Sequence, residues 1–352
     1  MKTIIVDMMG GDNAPLETVK GVGLAIDELD KDVKYILIGD QVQIETVARE
    51  NDISLEGCEI VHTEEVITMH DDPIAVVRGK ENSSMSIGLR MLKEGKGDAF
   101  VSTGNTGALF TGATLIVRKL KGVKRPAIAS LLPLQPPVLL ADSGANVVVT
   151  PEYLEQFAVM GSAYMKNVMG VENPRVGLLN NGEEEHKGTE LQIETYKILK
   201  ANESINFVGN VEANRVMKDT CDVIIADGFT GNIFLKALEG IGKMMLKTLK
   251  ATLYSKIRTR AAGLLIKKEM SGIKKNFDAS ELGGAPILGV AKPVIKAHGS
   301  SKAKAFKNAI RQAITYSDND ISGDIEAAIA EAAERKKAAA SAVAAETESE
   351  EK

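Results

Sequence analysis

Val-Ile-Ile-Ala at residues 223–226 runs directly into Asp-Gly-Phe-Thr-Gly-Asn at residues 227–232, and a helical pattern follows at residues 233–249. A short apolar run that leaves through glycines into a helix is the strand–turn–helix unit of an α/β fold. The free backbone N–H groups and the dipole at the start of such a helix favour an anion, above all phosphate. This stretch therefore predicts both a fold class and a type of ligand.

Glycine-rich turns of the same kind follow other apolar runs in the chain. They are 7–12 (Asp-Met-Met-Gly-Gly-Asp), 101–107 (Val-Ser-Thr-Gly-Asn-Thr-Gly), 142–146 (Asp-Ser-Gly-Ala-Asn), 180–188 (Asn-Asn-Gly-Glu-Glu-Glu-His-Lys-Gly) and 296–301 (Lys-Ala-His-Gly-Ser-Ser). In a mostly parallel sheet the binding site lies beyond the carboxyl ends of the strands, so we expect these turns to gather at one edge. Several phosphate-compatible turns in one chain indicate an enzyme that handles phosphate or a phosphorylated compound.

Short apolar runs alternate with amphipathic stretches along the whole chain. The predicted strands are residues 3–8, 34–38, 59–62, 99–102, 127–132, 138–141, 175–179, 206–208, 222–226 and 293–296. The predicted helices include residues 15–28, 41–51, 84–94, 151–168 and 190–202. Aromatic residues are scarce and tryptophan is absent, which suits strands covered on both faces by helices. We predict an α/β protein with a mostly parallel sheet.

Charge and hydropathy exclude several functional classes. The formal net charge is −5 over 352 residues, and no aromatic residues are interleaved with a basic run, so we expect no nucleic-acid binding. Cys58 and Cys221 lie far apart beside strand-like runs and are interpreted as buried thiols of a reducing compartment. The chain start resembles no signal peptide, and no run of about 20 apolar residues exists, so we expect a cytoplasmic protein.

Polar residues of the first two turns are candidate ligands of a substrate. Asp7 and Asp12 would orient a substrate, hold a metal ion, or cap the helix that begins near residue 15. Ser102, Asn105 and Thr106 would bind phosphate oxygens or an acyl carbonyl, although a capped helix start also explains them. The first turn is not the dinucleotide fingerprint, because no third glycine follows at the required spacing.

The later turns contain the cationic candidates. Three neighbouring carboxylates at 183–185 raise the question of a metal site, but adjacent side chains point in different directions and no metal is predicted. Lys187 is a candidate phosphate ligand, whereas His186 is a base or a surface residue. Lys296 and His298 are candidates to neutralise charge or to move a proton. A covalent serine or cysteine mechanism is not favoured, since the sequence contains no Gly-x-Ser-x-Gly elbow.

Two segments differ from the rest of the chain. Residues 243–275 form a basic amphipathic pattern in an acidic protein, which is typical of a surface that contacts another molecule. This segment would pack on a partner subunit, dock an acidic protein or rest on an anionic membrane; a core or dimer helix with a solvated basic face is the alternative. Residues 1–317 are predicted to form a single catalytic domain, and residues 318–352 a partly disordered tail rich in Ala, Glu and Lys.

Taken together, these stretches resemble the bacterial phosphate acyltransferase family of phospholipid synthesis. The resemblance extends over roughly residues 1–315 and rests on residues 6–15, 101–108, 125–127, 144–146, 180–188, 227–232 and 295–301. Two positions depart from the family pattern: Asn13 stands where the family often has His, and Thr103 where it often has Ala.

The resemblance implies a three-layer α/β/α fold similar to phosphate acetyltransferases and isocitrate dehydrogenase-like enzymes, with a protruding amphipathic helical pair. It implies transfer of a long-chain fatty acyl group from acyl-(acyl-carrier-protein) to inorganic phosphate, giving acyl phosphate for glycerol-3-phosphate acylation. No cofactor and no metal ion are implied. A homodimer, peripheral contact with the anionic inner face of the cell membrane, and the downstream acyl phosphate:glycerol-3-phosphate acyltransferase as a partner are implied as well.

Under this interpretation the candidate residues have three roles. The catalytic candidates are Lys187, Asn232, Lys296 and His298. The substrate-binding candidates are Asp7, Gly10, Gly11, Asp12, Ser102, Gly104, Asn105, Thr106, Asn146, Asn180, Glu183, Asp227, Gly228, Thr230 and Gly231. The candidates for carrier-protein or membrane contact are Leu253, Lys256, Ile257, Arg258, Arg260, Leu264, Leu265, Lys267 and Lys268.

The mechanistic hypothesis needs no covalent enzyme intermediate, because phosphate is itself a nucleophile. Backbone N–H groups at 104–106 and 228–232, with Lys187, would hold phosphate beside the thioester. Asn232 or Asn105 would donate to the thioester oxygen, and Lys296 or His298 would balance the developing charge.

Three other functions remain open at this point. The first is a phosphate acyltransferase that uses a coenzyme A thioester. The second is a dehydrogenase of the same fold class, and the third is a non-catalytic scaffold on the membrane surface.

Overall fold

An eleven-stranded sheet lies at the centre of the molecule. The computed structural model describes residues 1–29, 32–256, 258–259, 266 and 283–350. The strands within these residues are β1 (Lys2–Asp7), β2 (Val33–Gly39), β3 (Glu59–His62), β4 (Ala99–Ser102), β5 (Ala127–Leu132), β6 (Val138–Ala141), β7 (Arg175–Asn180), β8 (Asn206–Glu212), β9 (Val223–Ile225), β10 (Ala285–Leu288) and β11 (Val294–Lys296). Every run predicted as a strand is one, and β10 is the strand that the sequence pattern does not predict.

Helices follow most of the strands. They are α1 (Leu16–Glu28), α2 (Gln41–Glu50), α3 (Ser84–Lys93), α4 (Thr106–Gly112), α5 (Pro151–Met169), α6 (Glu190–Ala201), α7 (Gly228–Tyr254), α8 (Ala303–Asp318) and α9 (Ile321–Glu350). A π-helical segment, Ala113–Val117, continues α4. Helix α7 begins inside the turn 227–232 and continues without a break into the basic segment, so the two features belong to one rod.

The strand order is β3-β2-β1-β4-β11-β10-β5-β6-β9-β7-β8. Antiparallel pairings join β11 to β10, β10 to β5 and β5 to β6, whereas the other neighbouring strands run parallel. Three successive reversals mean that β6, β9 and β7 run opposite to β1, β4 and β11. The expectation that all the glycine turns share one edge is therefore wrong: they leave from two strand groups of opposite direction.

Side chains of the strands alternate between the two faces of the sheet, as the pleat requires. On β1, Ile4 and Val6 join the core cluster beneath α1, α5 and α8, whereas Ile5 joins a second cluster with α3 and α4. On β9, Ile224 joins a third cluster on that second side, which packs against the start of α7. One face of the sheet thus carries one continuous hydrophobic cluster, and the other face carries two separate clusters. Helices cover both faces, which is the expected three-layer α/β/α fold.

The C-terminal helix α9 starts inside the region expected to be a tail. Its first turns bury Ile321, Ile325 and Ile329 in the large core beside α5. These apolar side chains recur at helical spacing, so this part of α9 packs one face against the domain core. The first residues of the predicted tail, 318–352, therefore include side chains of the core.

Within the described residues, no helix has the length and apolarity needed to cross a membrane.

Candidate active site

The turn after β1 is organised around a buried carboxylate. Asp7 accepts hydrogen bonds from Ser102 Oγ at 2.6 Å and Ser84 Oγ at 2.7 Å, and from the backbone N–H groups of Met9 and Gly10, each at 3.2 Å. Burial raises the pKa of Asp7 above its ordinary value, and these hydrogen bonds act in the opposite direction. Asp7 therefore has a structural role in the turn, because protein donors already occupy its carboxylate oxygens.

The turn after β4 packs directly on the first turn. A Cβ at Gly10 would lie 2.7 Å from the backbone nitrogen of Gly104, so only glycine permits this approach. Ser102 Oγ accepts from the Gly104 N–H at 2.9 Å, and Thr103 Oγ1 donates to the Gly10 carbonyl at 2.5 Å. Thr103, one of the two departures from the family pattern, thus ties the two turns together.

Asn105 holds the start of α4. Its Oδ1 accepts from the Ala108 N–H at 3.1 Å, and its Nδ2 lies 3.2–3.3 Å from three carbonyl oxygens of the 68–71 loop. These contacts occupy the Asn105 amide, which disfavours its predicted role as a donor to the thioester. The backbone N–H groups of Asn105, Thr106 and Gly107 have no acceptor among the described residues, and the Thr106 side chain is exposed.

Lys296 ends β11 and is only 8% exposed. Its Nζ lies 3.5 Å from the carbonyl oxygen of Thr103 and also donates to the carbonyl of Ala297. Burial, together with the charge of Lys236, lowers the pKa of Lys296 to about 8, while the charge of Asp12 opposes the shift. Asp12 is fixed beside this strand end, because its N–H donates to the Gly299 carbonyl at 2.9 Å.

His298 follows Lys296 and meets a residue that the sequence analysis did not identify. Lys236 Nζ, on α7, lies 3.5 Å from His298 Nε2 and 3.0 Å from Glu239 Oε2. Burial lowers the pKa of His298, and the charge of Lys236 lowers it further. Lys236, Lys296 and His298 form a cluster of basic groups, which we call the cationic cluster.

The turn after β9 is capped by its own aspartate. Asp227 Oδ1 accepts from the N–H groups of Phe229 and Thr230 at 2.9 Å, and Asp227 Oδ2 accepts from Thr230 Oγ1 at 2.7 Å. The Gly231 N–H donates to the Asp227 carbonyl at 2.8 Å. Asp227 and Thr230 therefore build the helix start, and the amides that were expected to hold phosphate are already used.

The turn 142–146 closes over the start of α7. The Gly228 N–H donates to the Asn146 carbonyl at 2.7 Å, and a Cβ at Gly231 would overlap the Asp142 carbonyl. Asn146 Nδ2 donates to Asp142 Oδ2 at 2.6 Å, and Asn146 Oδ1 accepts from Arg125 at 2.7 Å. Asn146, Gly228 and Gly231 thus pack two turns together.

Asn232 has a different environment from its neighbours in that turn. Its side chain is exposed and lies beside Gly144, where a Cβ on the glycine would be 3.4 Å from Asn232 Oδ1. No hydrogen-bond partner of the Asn232 amide occurs in the described part of the chain. Asn232 therefore keeps its candidacy as a donor to substrate.

Lys187 lies in the turn after β7, which Asn180 closes by donating from Nδ2 to the Lys187 carbonyl at 3.1 Å. Lys187 is half-buried as a residue, and its ammonium has neither an ion-pair nor a hydrogen-bond partner among the residues described. Its contacts place it with the β7 turn and not with the cationic cluster.

Two of the three glutamates of the β7 turn contact different partners. Glu183 pairs with Arg215, whereas Glu185 accepts from Lys200 at 2.6 Å and from Tyr196 at 3.1 Å. Across the described residues, no group of three or more His, Cys, Asp or Glu side chains is placed to hold a metal ion. Glu183 thus acts in an ion pair, and among the described residues no contact joins it to the cationic cluster.

The two cysteines are free thiols, as expected. Cys221 is buried and Cys58 half-buried, and burial raises the pKa of each thiol to about 11. Both thiols therefore stay protonated near neutral pH and are poor nucleophiles.

Helix α7 joins the two groups of turns. Its first residue lies at the β9 turn, and Lys236, two turns further along, reaches His298 of the β11 turn. Asn232 and Lys236 are four residues apart and so lie on one face of the helix. That i, i+4 relation is the sequence signal from which Lys236 could have been found.

Only part of the predicted contact surface lies within the described residues. Leu253 is half-buried, and Lys256 and Arg258 are exposed. The remaining candidates fall outside the described residues: Ile257, Arg260, Leu264, Leu265, Lys267 and Lys268.

Comparison with known proteins places the chain in a family and supports the fold. The family model described as "Fatty acid synthesis protein" matches residues 2–323. A phosphate acyltransferase of Dictyoglomus turgidum is 46% identical over 312 residues, covering 88% of this chain and 92% of that protein. A phosphate acyltransferase of Clostridioides difficile is 44% identical over 324 residues, covering 92% of this chain and 94% of that protein.

Solved structures share the architecture at low sequence identity. A phosphotransacetylase from Streptococcus pyogenes superimposes with a TM-score of 0.59 at 17% identity, covering 90% of this chain and 94% of its own. The EutD phosphotransacetylase from Staphylococcus aureus has a TM-score of 0.57 at 16% identity, with the same coverage. Their likeness shows the fold: α/β with a mostly parallel sheet.

The fold and the sequence relationships define the class of protein: the molecule is an acyltransferase enzyme. The chain belongs to the fatty acid synthesis protein family, whose matching relatives are named phosphate acyltransferases.

Proposed function

We propose that this enzyme transfers a long-chain fatty acyl group from acyl-(acyl-carrier-protein) to inorganic phosphate. A phosphate oxygen attacks the thioester carbonyl, the C–S bond breaks, and acyl phosphate and the carrier thiol are the products. The proton of hydrogen phosphate passes to the departing sulfur, so atoms and charges balance without a co-reactant. The product would serve glycerol-3-phosphate acylation in phospholipid synthesis.

The observation that carries this proposal is the cationic cluster. Lys296 is 8% exposed, so its charge acts in a partly dry environment that favours an anion, and the exposed Lys236 adds a second positive charge. His298 lies next to Lys236 and adds a ring nitrogen to the site. The unpaired amides of 105–107 follow the neighbouring strand β4. Lysine ammonium groups together with free backbone N–H groups suit phosphate.

Orientation of the thioester is assigned to Asn232. Its amide has no partner among the residues that the structure describes, whereas the Asn105 amide is held by Ala108 and the 68–71 loop. A donor aimed at the developing oxyanion lowers the barrier to addition. Lys187, also unpaired, is proposed to bind phosphate or the acyl donor from the side of the β7 turn.

Helix α7 is proposed to contact the carrier protein, a second subunit and the membrane. Beyond Leu238 none of its described side chains is fully buried, and Ile241, Met244, Met245 and Tyr254 are exposed. Lys243, Lys247 and Lys250 are interspersed with them. A face that is both apolar and basic suits an acidic protein or an anionic lipid surface, so we propose a cytoplasmic homodimer that binds the membrane peripherally.

The reaction is tested by incubating the purified protein with long-chain acyl-(acyl-carrier-protein) and labelled inorganic phosphate. Labelled acyl phosphate, formed only when both substrates are present, is the expected product. Product with acyl-coenzyme A but not with the carrier protein would overturn the carrier assignment. Well-folded protein that is silent with both donors would overturn the proposed reaction.

The surface contacts are tested separately by sedimentation with vesicles and by mass measurement in solution. Binding to vesicles that contain anionic phospholipid, but not to neutral vesicles, is expected for the full chain. A combined Lys243→Gln, Lys247→Gln and Lys250→Gln variant should bind less. Equal sedimentation with both vesicle types, or a monomer at micromolar concentration, would contradict the respective assignment.

A further inference from the structure

The hydrogen bonds of His298 define which ring nitrogen carries the proton. The Ser300 backbone N–H donates to His298 Nδ1 at 3.2 Å, and Ser300 Oγ lies 2.9 Å from the same nitrogen. A backbone N–H can only donate, so Nδ1 is an acceptor and bears no hydrogen. The neutral ring therefore carries its proton on Nε2.

Lys236 faces that protonated nitrogen. Its Nζ lies 3.5 Å from His298 Nε2, and an ammonium group has donors only. Two donors directed at the same point do not bond to each other, but they can share one acceptor. Glu239 accepts from Lys236 at 3.0 Å and 3.3 Å on the other side, which keeps the ammonium in place.

The charged groups around this point carry both signs. Besides burial, the positive charges of Lys236, Lys296 and Lys243 lower the pKa of His298, whereas Glu239 raises it, and Asp12 opposes Lys236 in its effect on Lys296. Protonation of His298 would give Nδ1 a hydrogen and break the bond from Ser300. Both the geometry and the neighbouring cations thus keep the imidazole neutral, as its lowered pKa indicates.

We propose that Lys236 Nζ and His298 Nε2–H jointly bind one oxygen of inorganic phosphate, with Lys296 as the second cation of the site. The inference rests on the proposed function and adds Lys236 as a catalytic residue that touches the nucleophile. His298 then acts as a neutral hydrogen-bond donor and not as a general base, since its other nitrogen is occupied by Ser300. A base is not required, because the phosphate proton leaves with the thiol.

The test measures binding of inorganic phosphate to the full chain without an acyl donor, by calorimetry. Lys236→Met should weaken binding about tenfold or more, as loss of a charge-assisted hydrogen bond predicts. His298→Gln retains an amide nitrogen near the position of Nε2 and should stay within about threefold of wild type, whereas His298→Asn should resemble Lys236→Met. Lys197→Met, which breaks the exposed Lys197–Glu194 pair on α6, is the matched control and should leave affinity unchanged.

Unchanged phosphate affinity in folded Lys236→Met and His298→Asn proteins would overturn the inference. A ring-nitrogen NMR spectrum that shows the proton of neutral His298 on Nδ1 would do so as well. The proposed function fails separately: if wild-type protein makes no acyl phosphate but the affinities follow the expected order, the phosphate site stands and the reaction does not. If wild type turns over while Lys236→Met binds phosphate normally, the reaction stands and this site does not.

Discussion

The turn after β9 and the turn after β4 look alike in sequence but differ in their free donors. Both pass from a buried strand through small residues into a helix. Asp227 takes two helix N–H groups with its carboxylate and a third with its carbonyl. Asn105 takes one N–H with its side chain, and the N–H groups of residues 105–107 have no acceptor in the part of the chain that the structure describes.

The difference shows that a glycine-rich helix start can bind an anion only when the capping residue leaves backbone N–H groups unpaired. An aspartate cap supplies a negative charge where a phosphate would otherwise sit, so the two compete for the same amides. An asparagine cap is neutral and does not repel an incoming anion. We therefore expect phosphate to depend on the β4–β11 side and only weakly on the β9 turn.

The largest effect is expected for Lys296→Met. Loss of a buried cation beside the anion should lower kcat/KM for phosphate by about 100-fold or more. Labelled acyl phosphate formation at varied phosphate concentration is the measurement, and Lys292→Met, at an exposed position nearby, is the control. Activity within a few-fold of wild type would remove the cationic cluster from the mechanism.

A smaller loss is expected for Lys187→Ala. Its ammonium has no protein partner in the described residues, so the fold should persist while turnover drops by about tenfold or more. Circular dichroism and the same assay would be run in parallel with Lys200→Ala, which instead removes one of the two partners of Glu185. Near-normal turnover of a folded Lys187→Ala protein would leave the β7 turn without a role in catalysis.

The pH dependence of phosphate binding should follow Lys296. Its pKa is lowered to about 8, so the cation that binds phosphate is present below that pH and is lost as the pH rises through it. Phosphate affinity should then fall by up to about tenfold per pH unit. Because the charge of Lys236 contributes to the shift, the midpoint should move upward in Lys236→Met. A flat affinity between pH 7 and 10 would contradict the assignment.

The smallest effect on phosphate affinity is expected for Asp227→Ala, a change that should clearly lower stability. Asp227→Ala removes the cap of α7 and should reduce the free energy of unfolding by about 1 kcal/mol. Phosphate affinity should stay near that of wild type, since the freed amides are not the site. Thermal unfolding and calorimetry on one preparation separate the two effects, with Asp227→Ser as the capped control. A large loss of phosphate binding in the folded variant would reverse the comparison between the turns.

Much of the fold could be predicted from the sequence, because the local spacing of apolar residues indicates which segments are buried. Strands such as β4 and β6 are short apolar runs that end in turn residues, and their bounds are the predicted ones. Strand β10 escapes the pattern because Pro286, within a four-residue run, lowers strand propensity. The reversal of direction across β10 and β5 follows from pairing with distant strands, which local patterns do not encode.

The site was predictable as a set of turns but not as a set of contacts. Lys296 and His298 are close in sequence and were found as a pair. Lys236 is separated from His298 by 62 residues and sits in mid-helix, so its i, i+4 spacing from Asn232 is the one local signal that marks it. Asp227 pairs with the backbone N–H groups at the start of α7, whereas Asn105 leaves N–H groups at the start of α4 available. This difference depends on side-chain rotamers and not on residue type alone.

The continuity of α7 has a mechanical consequence. Its 27 residues span about 40 Å, with Asp227 capping one end and Tyr254 exposed at the other. Lys236 lies about a third of the way along this stiff rod. A molecule that binds the distal half therefore contacts the same continuous helix that positions the Lys236 ammonium.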